Sequence, residues 1–325
     1  MRVKKGPLLL EGLFAYKKRP HKEVMKMINE LIEIYKENFP FIVREEKTVK
    51  NILENKENKI IERRNKKGKL IGVSVINKSA ILLLCVDKKY RNQGIGTNLL
   101  KESEELIKNK GYKEIILGVG FDYIMPGVPT SKKYFKSQNE KLYPNIDEKA
   151  SNFFTKRGYN HSWDCNCFDM RFNLEEFKKI TNSIGDTINK ITYRWATIDD
   201  LERICNCTNK AEESFTKWYK SKDLYKENNT QRVLIATTNN EVVGTLIVSI
   251  ETEGKNLGSV GCTAVIPEYQ HQCIATNMII LGTKYLKDIG MREAYWGYTY
   301  TGLDKLYGTA GYKICIYYMM AKKEL

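Results

Sequence analysis

Val86-Asp-Lys-Lys-Tyr-Arg-Asn-Gln-Gly-Ile-Gly96 returns 179 positions later as Val265-Ile-Pro-Glu-Tyr-Gln-His-Gln-Cys-Ile-Ala275. Val, Tyr, Gln and Ile coincide, at 86/265, 90/269, 93/272 and 95/274. Each copy follows an apolar run and opens an amphipathic helical pattern, so each reads as strand, loop, helix. A loop of this kind presents backbone N–H groups at a helix N-terminus, where orphan donors and the helix dipole make an anion site. Two such loops imply two related domains, each built to hold a phosphorylated ligand or descended from one that did.

Working outward, Val24, Met27, Ile28, Leu31, Ile34 and Tyr35 recur at helical spacing and predict a helix over 21–39, ended by Pro40. A second helix is expected over 46–55, then strands at 59–63, 69–77 and 80–86. Ala80–Val86 is apolar without alternation, the pattern of a central strand buried on both faces. A helix over 95–109, stopping at Gly111, a strand over 113–119, a helix over 148–157 and closing strands within 159–172 complete the first half. Residues 173–190 read as a connector. The pattern then restarts, with a helix opened by Asp199, Asp200 and Leu201 and strands at 233–237, 241–250 and 258–265. After the second loop come a helix over 277–289, a strand over 292–297, a helix over 303–307 and a last strand over 312–321. Gly72 corresponds to Gly244, Gly94 to Cys273 and Gly158 to Gly311. The falling offset locates an insertion over 121–147 in the first half. A long segment beside a ligand loop is expected to bind substrate or act as a lid.

Composition bounds the answer. A length of 325 residues fits two domains, split here as 1–175 and 190–325. No apolar run reaches the ~18 residues needed to cross a bilayer, and Leu8–Leu10 is too short for a signal core, so a cytoplasmic protein with no membrane partner is expected. Cys165-Asn-Cys167 and Cys205-Asn-Cys207 resemble metal half-sites, yet of the three histidines only His161 lies within four positions of either, too few ligands for a zinc site, and no metal is expected. Residues 1–190 carry +14 of the total charge of +15. The basic residues alternate with Glu and form no arginine-rich stripe, so nucleic acid is not an expected partner.

Arg91-Asn-Gln-Gly-Ile-Gly96 after a buried strand, followed by Leu99-Leu100 and Phe153-Phe-Thr-Lys-Arg-Gly-Tyr159, resembles the signature of the GNAT superfamily of acetyl-CoA-dependent N-acetyltransferases. Asp304-Lys-Leu-Tyr-Gly-Thr-Ala-Gly-Tyr312 repeats the closing element. The resemblance spans nearly the whole chain as a tandem, like the arrangement of mycothiol synthase. It implies an α/β (α+β) fold of two tandem domains, each a mixed, mostly antiparallel central sheet flanked by helices. It also implies acetyl-CoA as co-substrate, with a primary amine of a small molecule or peptide as acceptor. Backbone amides of Arg91, Asn92, Gln93, Gly94, Ile95, Gly96 and Thr97 would hold the CoA pyrophosphate, and the pantetheine arm would pair along Leu84, Cys85 and Val86. Asp147 falls where relatives carry a CoA-contacting Asn; an N-cap role fits it equally.

The halves depart from the family in different places. The common general acid is a Tyr four residues before the final Gly; the first half has Phe154 there, the second Tyr307. Conversely Cys273 replaces the first loop Gly and Ala275 the second. The first half is therefore expected to bind CoA, with Asp122 as candidate amine ligand or base, or equally a turn residue, and Tyr123, Tyr134 and Tyr143 as substitute acids. Tyr298-Thr-Tyr-Thr301 is a hydroxyl cluster suited to an acceptor pocket or to a satisfied strand end. Two other readings stay open: chemistry in the second half with Tyr307 as acid, or a non-catalytic acyl-CoA-binding regulatory module. The oligomeric state is unassigned, because a tandem can itself replace a homodimer.

Overall fold

The computed structural model describes residues 14–15, 21–42, 46–117, 124–131, 148–178, 182–227, 229–250, 256–300 and 302–325. The first repeat runs β1 (Phe14–Ala15), α1 (His21–Asn38), α2 (Glu46–Leu53), β2 (Lys59–Arg64), β3 (Leu70–Asn77), β4 (Ala80–Val86), α3 (Ile95–Asn109), β5 (Glu114–Leu117), β6 (Val128–Thr130), α4 (Lys149–Thr155), β7 (Asn160–His161) and β8 (Cys167–Asn173). The second runs β9 (Thr187–Ile188), β10 (Ile191–Trp195), α5 (Leu201–Ala211), α6 (Glu213–Tyr219), β11 (Gln231–Thr238), β12 (Glu241–Ile250), β13 (Leu257–Val265), α7 (Ile274–Asp288), β14 (Glu293–Tyr300), α8 (Leu303–Gly308), β15 (Lys313–Met319) and β16 (Ala321–Glu324). The predicted helices and strands form with ends shifted by a few residues, except that the single last strand expected over 312–321 breaks at Met320 into β15 and β16 in different sheets. Short β9 and β10 and helix α6 lay in stretches without strong periodicity.

The chain divides into two compact units, one joining Tyr317–Leu325 to residues of the first half and the other built on Phe168–Ile316. The first unit's sheet runs β1, β2, β3, β4, β5, β16, β7 among the described residues. Antiparallel β2, β3 and β4 are followed by a short parallel contact, Ala80 to Ile116 and Ile81 to Leu117, between β4 and β5. In the second unit β15, β8, β14, β13, β12, β11, β10 and β9 follow in order, with the equivalent parallel contact at Leu257/Glu293 and Gly258/Ala294.

The closing strands are exchanged. β8 ends the first repeat in sequence yet lies between β15 and β14. β16 ends the second repeat yet pairs antiparallel with β5, Ala321 opposite Leu117 and Glu324 opposite Glu114, and with β7. It saturates the outer edge of β5, which would otherwise offer unpaired backbone groups. A boundary between 175 and 190 therefore falls inside the second unit rather than between the two.

In the first unit Met27, Ile28, Leu31 and Tyr35 of α1 and Val49 and Leu53 of α2 pack on one face of the sheet with Leu83 and Cys85. Ile95, Leu99, Leu100 and Ile107 of α3, with Phe154 and Tyr159, pack on the other. Each fully buried aliphatic side chain contributes about 1.5–3 kcal/mol. Gly72 sets how closely α3 approaches: a Cβ there would lie 2.9 Å from Ile95. Gly244 does the same for α7, its Cβ falling 3.0 Å from Met278 and 3.1 Å from Ile274.

One expectation needs correction: β4 is central but not buried on both faces, because Leu82, Leu84 and Val86 are only half-buried along it. Cys165 lies in a bend before β8, where its carbonyl meets Nε2 of His161 at 3.0 Å.

Candidate active site

The first loop is built by its own sequence. Asp87 accepts from the N–H of Lys89, which closes a single helical turn over Lys88–Tyr90. Arg91 donates from Nε to the carbonyl of Val86 at 3.1 Å and from Nη2 to Asn38 Oδ1 at 2.5 Å, pinning the loop to the end of β4 and of α1. Gln93 reaches back to the carbonyl of Lys89 at 3.4 Å. Gly94 then takes the left-handed conformation, φ 83°, as the residue before α3, and no side chain caps that helix. The space where a Gly94 Cβ would stand holds no atom within 4 Å. Asn92, Gln93, Gly94 and Thr97 are exposed and Gly96 half-buried. An unblocked helix start with exposed amides fits a phosphate group.

Beside the loop, β4 is bonded to β3 along its length but to the described part of β5 only at Ala80 and Ile81. Leu84 and Val86 face α3 and pack with Phe153 and Phe154. Cys85 turns to the opposite face, where burial pushes its thiol up to about 12, outweighing nearby Arg91, so it stays protonated and inert. Of the expected site residues, Leu84, Val86 and Arg91 to Thr97 thus lie together at the end of β4 and the start of α3, while the Cys85 side chain points to the other face. Asp122, Tyr123, Tyr134, Tyr143 and Asp147 lie outside the described residues, as does Thr301.

The second loop copies this geometry with other residues. Gln270 Nε2 donates to the carbonyl of Val265 at 3.1 Å, as Arg91 does to Val86, and Gln272 to that of Glu268 at 3.4 Å, as Gln93 does to Lys89. Cys273 holds the left-handed position, φ 61°, and is exposed. Charge differs: Lys89, Arg91 and Asn92 correspond to Glu268, Gln270 and His271.

Past the Leu257 and Gly258 pairs, the strand spacing in the second unit is filled. The Trp296 indole from β14 lies on Gly261 of β13, where a Cβ would fall 1.7 Å from the ring. Trp296 stacks on Tyr307, centroids 5.1 Å apart at 19°, and Tyr307 meets Tyr312 edge-on at 5.7 Å. The first repeat has Leu82 and Leu117 at the matching positions. Tyr307 is 1% exposed, its hydroxyl 3.2 Å from Thr263 Oγ1, and burial raises its pKa beyond the ordinary tyrosine range despite that hydrogen bond. Among the described residues, buried Trp296 Nε1 and Thr299 Oγ1 have no hydrogen-bond partner. Of the predicted hydroxyl cluster, Tyr300 is exposed, and the N–H of Tyr298 donates to buried Asp169 at 2.8 Å. The Tyr295 hydroxyl donates to the same carboxylate.

One feature escaped the sequence reading. Arg157, past the end of α4, donates from Nη2 to Thr97 Oγ1 at 2.9 Å and from Nη1 to the carbonyl of Phe153 at 2.7 Å. Its guanidinium carbon sits 3.9 Å from the Phe153 ring centroid. A lone Arg before a Gly carries no sequence signal; only the fold brings it to the start of α3. Among the described residues no cluster of three or more His, Cys, Asp or Glu is placed to hold a metal ion, and no helix is long and apolar enough to cross a membrane.

An acetyltransferase (GNAT) domain profile matches residues 22–119, and an acetyltransferase (GNAT) family profile matches 195–312. No curated protein sequence matches. Among solved structures, the glucosamine N-acetyltransferase region of a fungal multi-domain β-N-acetylglucosaminidase aligns with a TM-score of 0.70 at 19% identity, covering 98% of this chain. This chain spans 38% of that longer protein. A tandem GNAT protein of the clavulanic acid pathway aligns with a TM-score of 0.68 at 12% identity over 92% of this chain and 95% of its own. A GCN5-related N-acetyltransferase from Sphaerobacter thermophilus gives 0.60 at 15% identity, over 91% of each chain. With one matched domain on each loop and a tandem relative alike over nearly its full length, the chain belongs to the GNAT acetyltransferases and carries two such domains in tandem.

Proposed function

We propose that the protein is an acetyl-CoA-dependent N-acetyltransferase whose acyl donor binds the first unit, with a primary amine of a small molecule or peptide as acceptor. The observation that carries this reading is the contrast at the two equivalent positions beside the central strands. In the first repeat an exposed, cationic loop adjoins half-buried Leu84 and Val86. In the second, Trp296 and Tyr307 fill the space against Gly261.

Transfer needs a neutral amine, a donor to the thioester oxygen and a proton for the departing thiolate. Backbone groups of β4 between Leu82 and Val86 supply the donor and pair with the pantetheine arm. Asn92 to Thr97 hold the pyrophosphate. Asp122 binds or deprotonates the amine. Phe154 has no proton to give, so water or a hydroxyl of Tyr123, Tyr134 or Tyr143 protonates the sulfur. Asp147 contacts the donor or caps α4. A site of this kind operates in the cytoplasm, where acetyl-CoA is made.

A second reading has one observation in its favour: the Tyr307 hydroxyl lies within hydrogen-bond reach of Thr263 on β13, the strand equivalent to β4. On that reading the chemistry lies in the second unit, with Tyr307 as the general acid. Thiol release from acetyl-CoA, measured over a panel of amines, separates the two. The panel starts with glucosamine, for which the fungal neighbour is named, and adds polyamines and peptides. Turnover that Gly94→Trp abolishes and Tyr307→Phe leaves intact supports the first; the reverse supports the second.

A further inference from the structure

We propose that Arg157 is a phosphate-binding residue that fixes the anionic end of the acyl donor to the first turn of α3; this rests on the first unit being the donor site. The side chain is held at three points, by Thr97, by the Phe153 carbonyl and by the Phe153 ring. Those contacts put a cation at the N-terminus of a 15-residue helix, the end that already carries partial positive charge. Arg91 stands at the same loop. Among the described residues neither guanidinium pairs with a carboxylate. Neighbouring arginines of the same unit do: Arg63 binds Glu102, and Arg64 binds Glu30 and Glu62. Arg157 thus adds uncompensated positive charge to the helix start, which an anion bound there would neutralise.

The second unit shows that the cations are not needed to shape the loop. It keeps the left-handed residue before the helix, the side-chain bonds to the carbonyls of Val265 and Glu268, and the threonine at the third helical position, Thr276 for Thr97. Gln270 replaces Arg91, and buried Ala310 replaces Arg157. What differs between two equally well-formed loops is the charge offered to a ligand. A planar guanidinium has five N–H donors, more than these two hydrogen bonds use, and its fork suits the oxygens of a pyrophosphate or phosphate.

The test is calorimetric titration of acetyl-CoA into the full chain as wild type, Arg157→Ala and Arg157→Lys, at low and high salt. The expected result is a loss in affinity of about tenfold or more for Arg157→Ala, with a shallower salt dependence, and partial recovery in Arg157→Lys. Binding by Arg157→Ala within about twofold of wild type, or a tenfold loss with the salt dependence unchanged, overturns the proposal. The parallel variant Gly94→Trp keeps the two readings apart. If it still binds acetyl-CoA, the first-unit assignment itself fails; if it does not and Arg157→Ala binds normally, only the role of Arg157 fails.

Discussion

The loops at Arg91–Thr97 and Gln270–Thr276 are nearly the same object in backbone and opposite in what they offer. Both carry a positive-φ residue before a long helix and a side chain bonded to the carbonyl that ends the preceding strand. One is flanked by Lys88, Lys89, Arg91 and Arg157, the other by Glu268, Gln270 and Ala310. Beside them, one central strand leaves Leu84 and Val86 half-buried and the other is covered by Trp296. The strand-to-helix geometry is thus common to both repeats, whereas the side chains around it differ in charge. Two copies of a scaffold need not be two copies of a site.

The comparison can be broken first by removing residues 321–325. They belong to the second repeat in sequence but pair with β5 and β7 of the first unit, with Lys322 on Glu114 and Lys323 on Glu104. Deletion is expected to cost about 4 kcal/mol or more, at roughly 1 kcal/mol per lost ladder bond. Hydrogen exchange would then show Ile115–Leu117 deprotected. Unchanged protection there would mean that each repeat completes its own sheet.

Trp296→Ala comes next. Emptying the space over Gly261 is expected to lower stability by about 3–5 kcal/mol, read as a lower denaturant midpoint. The corresponding Leu117→Ala is expected to cost about 2–5 kcal/mol. A Trp296→Ala loss under about 1 kcal/mol would mean that the indole packs loosely and the second cleft opens readily.

How much was legible follows from these same residues. The repeat, the loop register and the paired glycines Gly72 and Gly244 were readable, because the strand-to-helix turn and the close approach of α3 and α7 each demand a local residue type. The exchange of β8 and β16 was not. An edge strand pairs equally well with either of two similar sheets, and nothing local distinguishes them. The covering of Gly261 by Trp296 was hidden for a related reason: it depends on side-chain contact across strands 35 positions apart in sequence. Arg157 reaches Thr97 across 60 positions. By contrast, the Phe154 and Tyr307 difference needed only alignment of the repeats, and both now occupy matching places, each accepting at its carbonyl from the N–H of Tyr159 or Tyr312.

Tyr307→Phe sharpens the contrast at lower amplitude. It makes the second unit resemble the first and removes one hydrogen bond, to Thr263, so stability should fall by about 1 kcal/mol. If Tyr307 donates no proton in turnover, the acetyl-transfer rate stays within about twofold; loss of a general acid would cost about 10²–10⁴-fold. The smallest expected effect is that of Cys273→Gly, which relieves a positive φ and should stabilise by about 1 kcal/mol. It should not create an acetyl-CoA site, because Gln270 and Ala310 remain uncharged. Acquisition of a second bound acetyl-CoA would show that the glycine, not the charge, decides binding.

The central claim is one donor site per chain, in the first unit. Its direct test is calorimetric titration of acetyl-CoA into wild type, Gly94→Trp and Cys273→Trp. A Trp at Gly94 projects into space free of protein atoms, at the place assigned to phosphate. The account predicts a single site in wild type, retained in Cys273→Trp and lost in Gly94→Trp. Loss only in Cys273→Trp, or two sites in wild type, would contradict it.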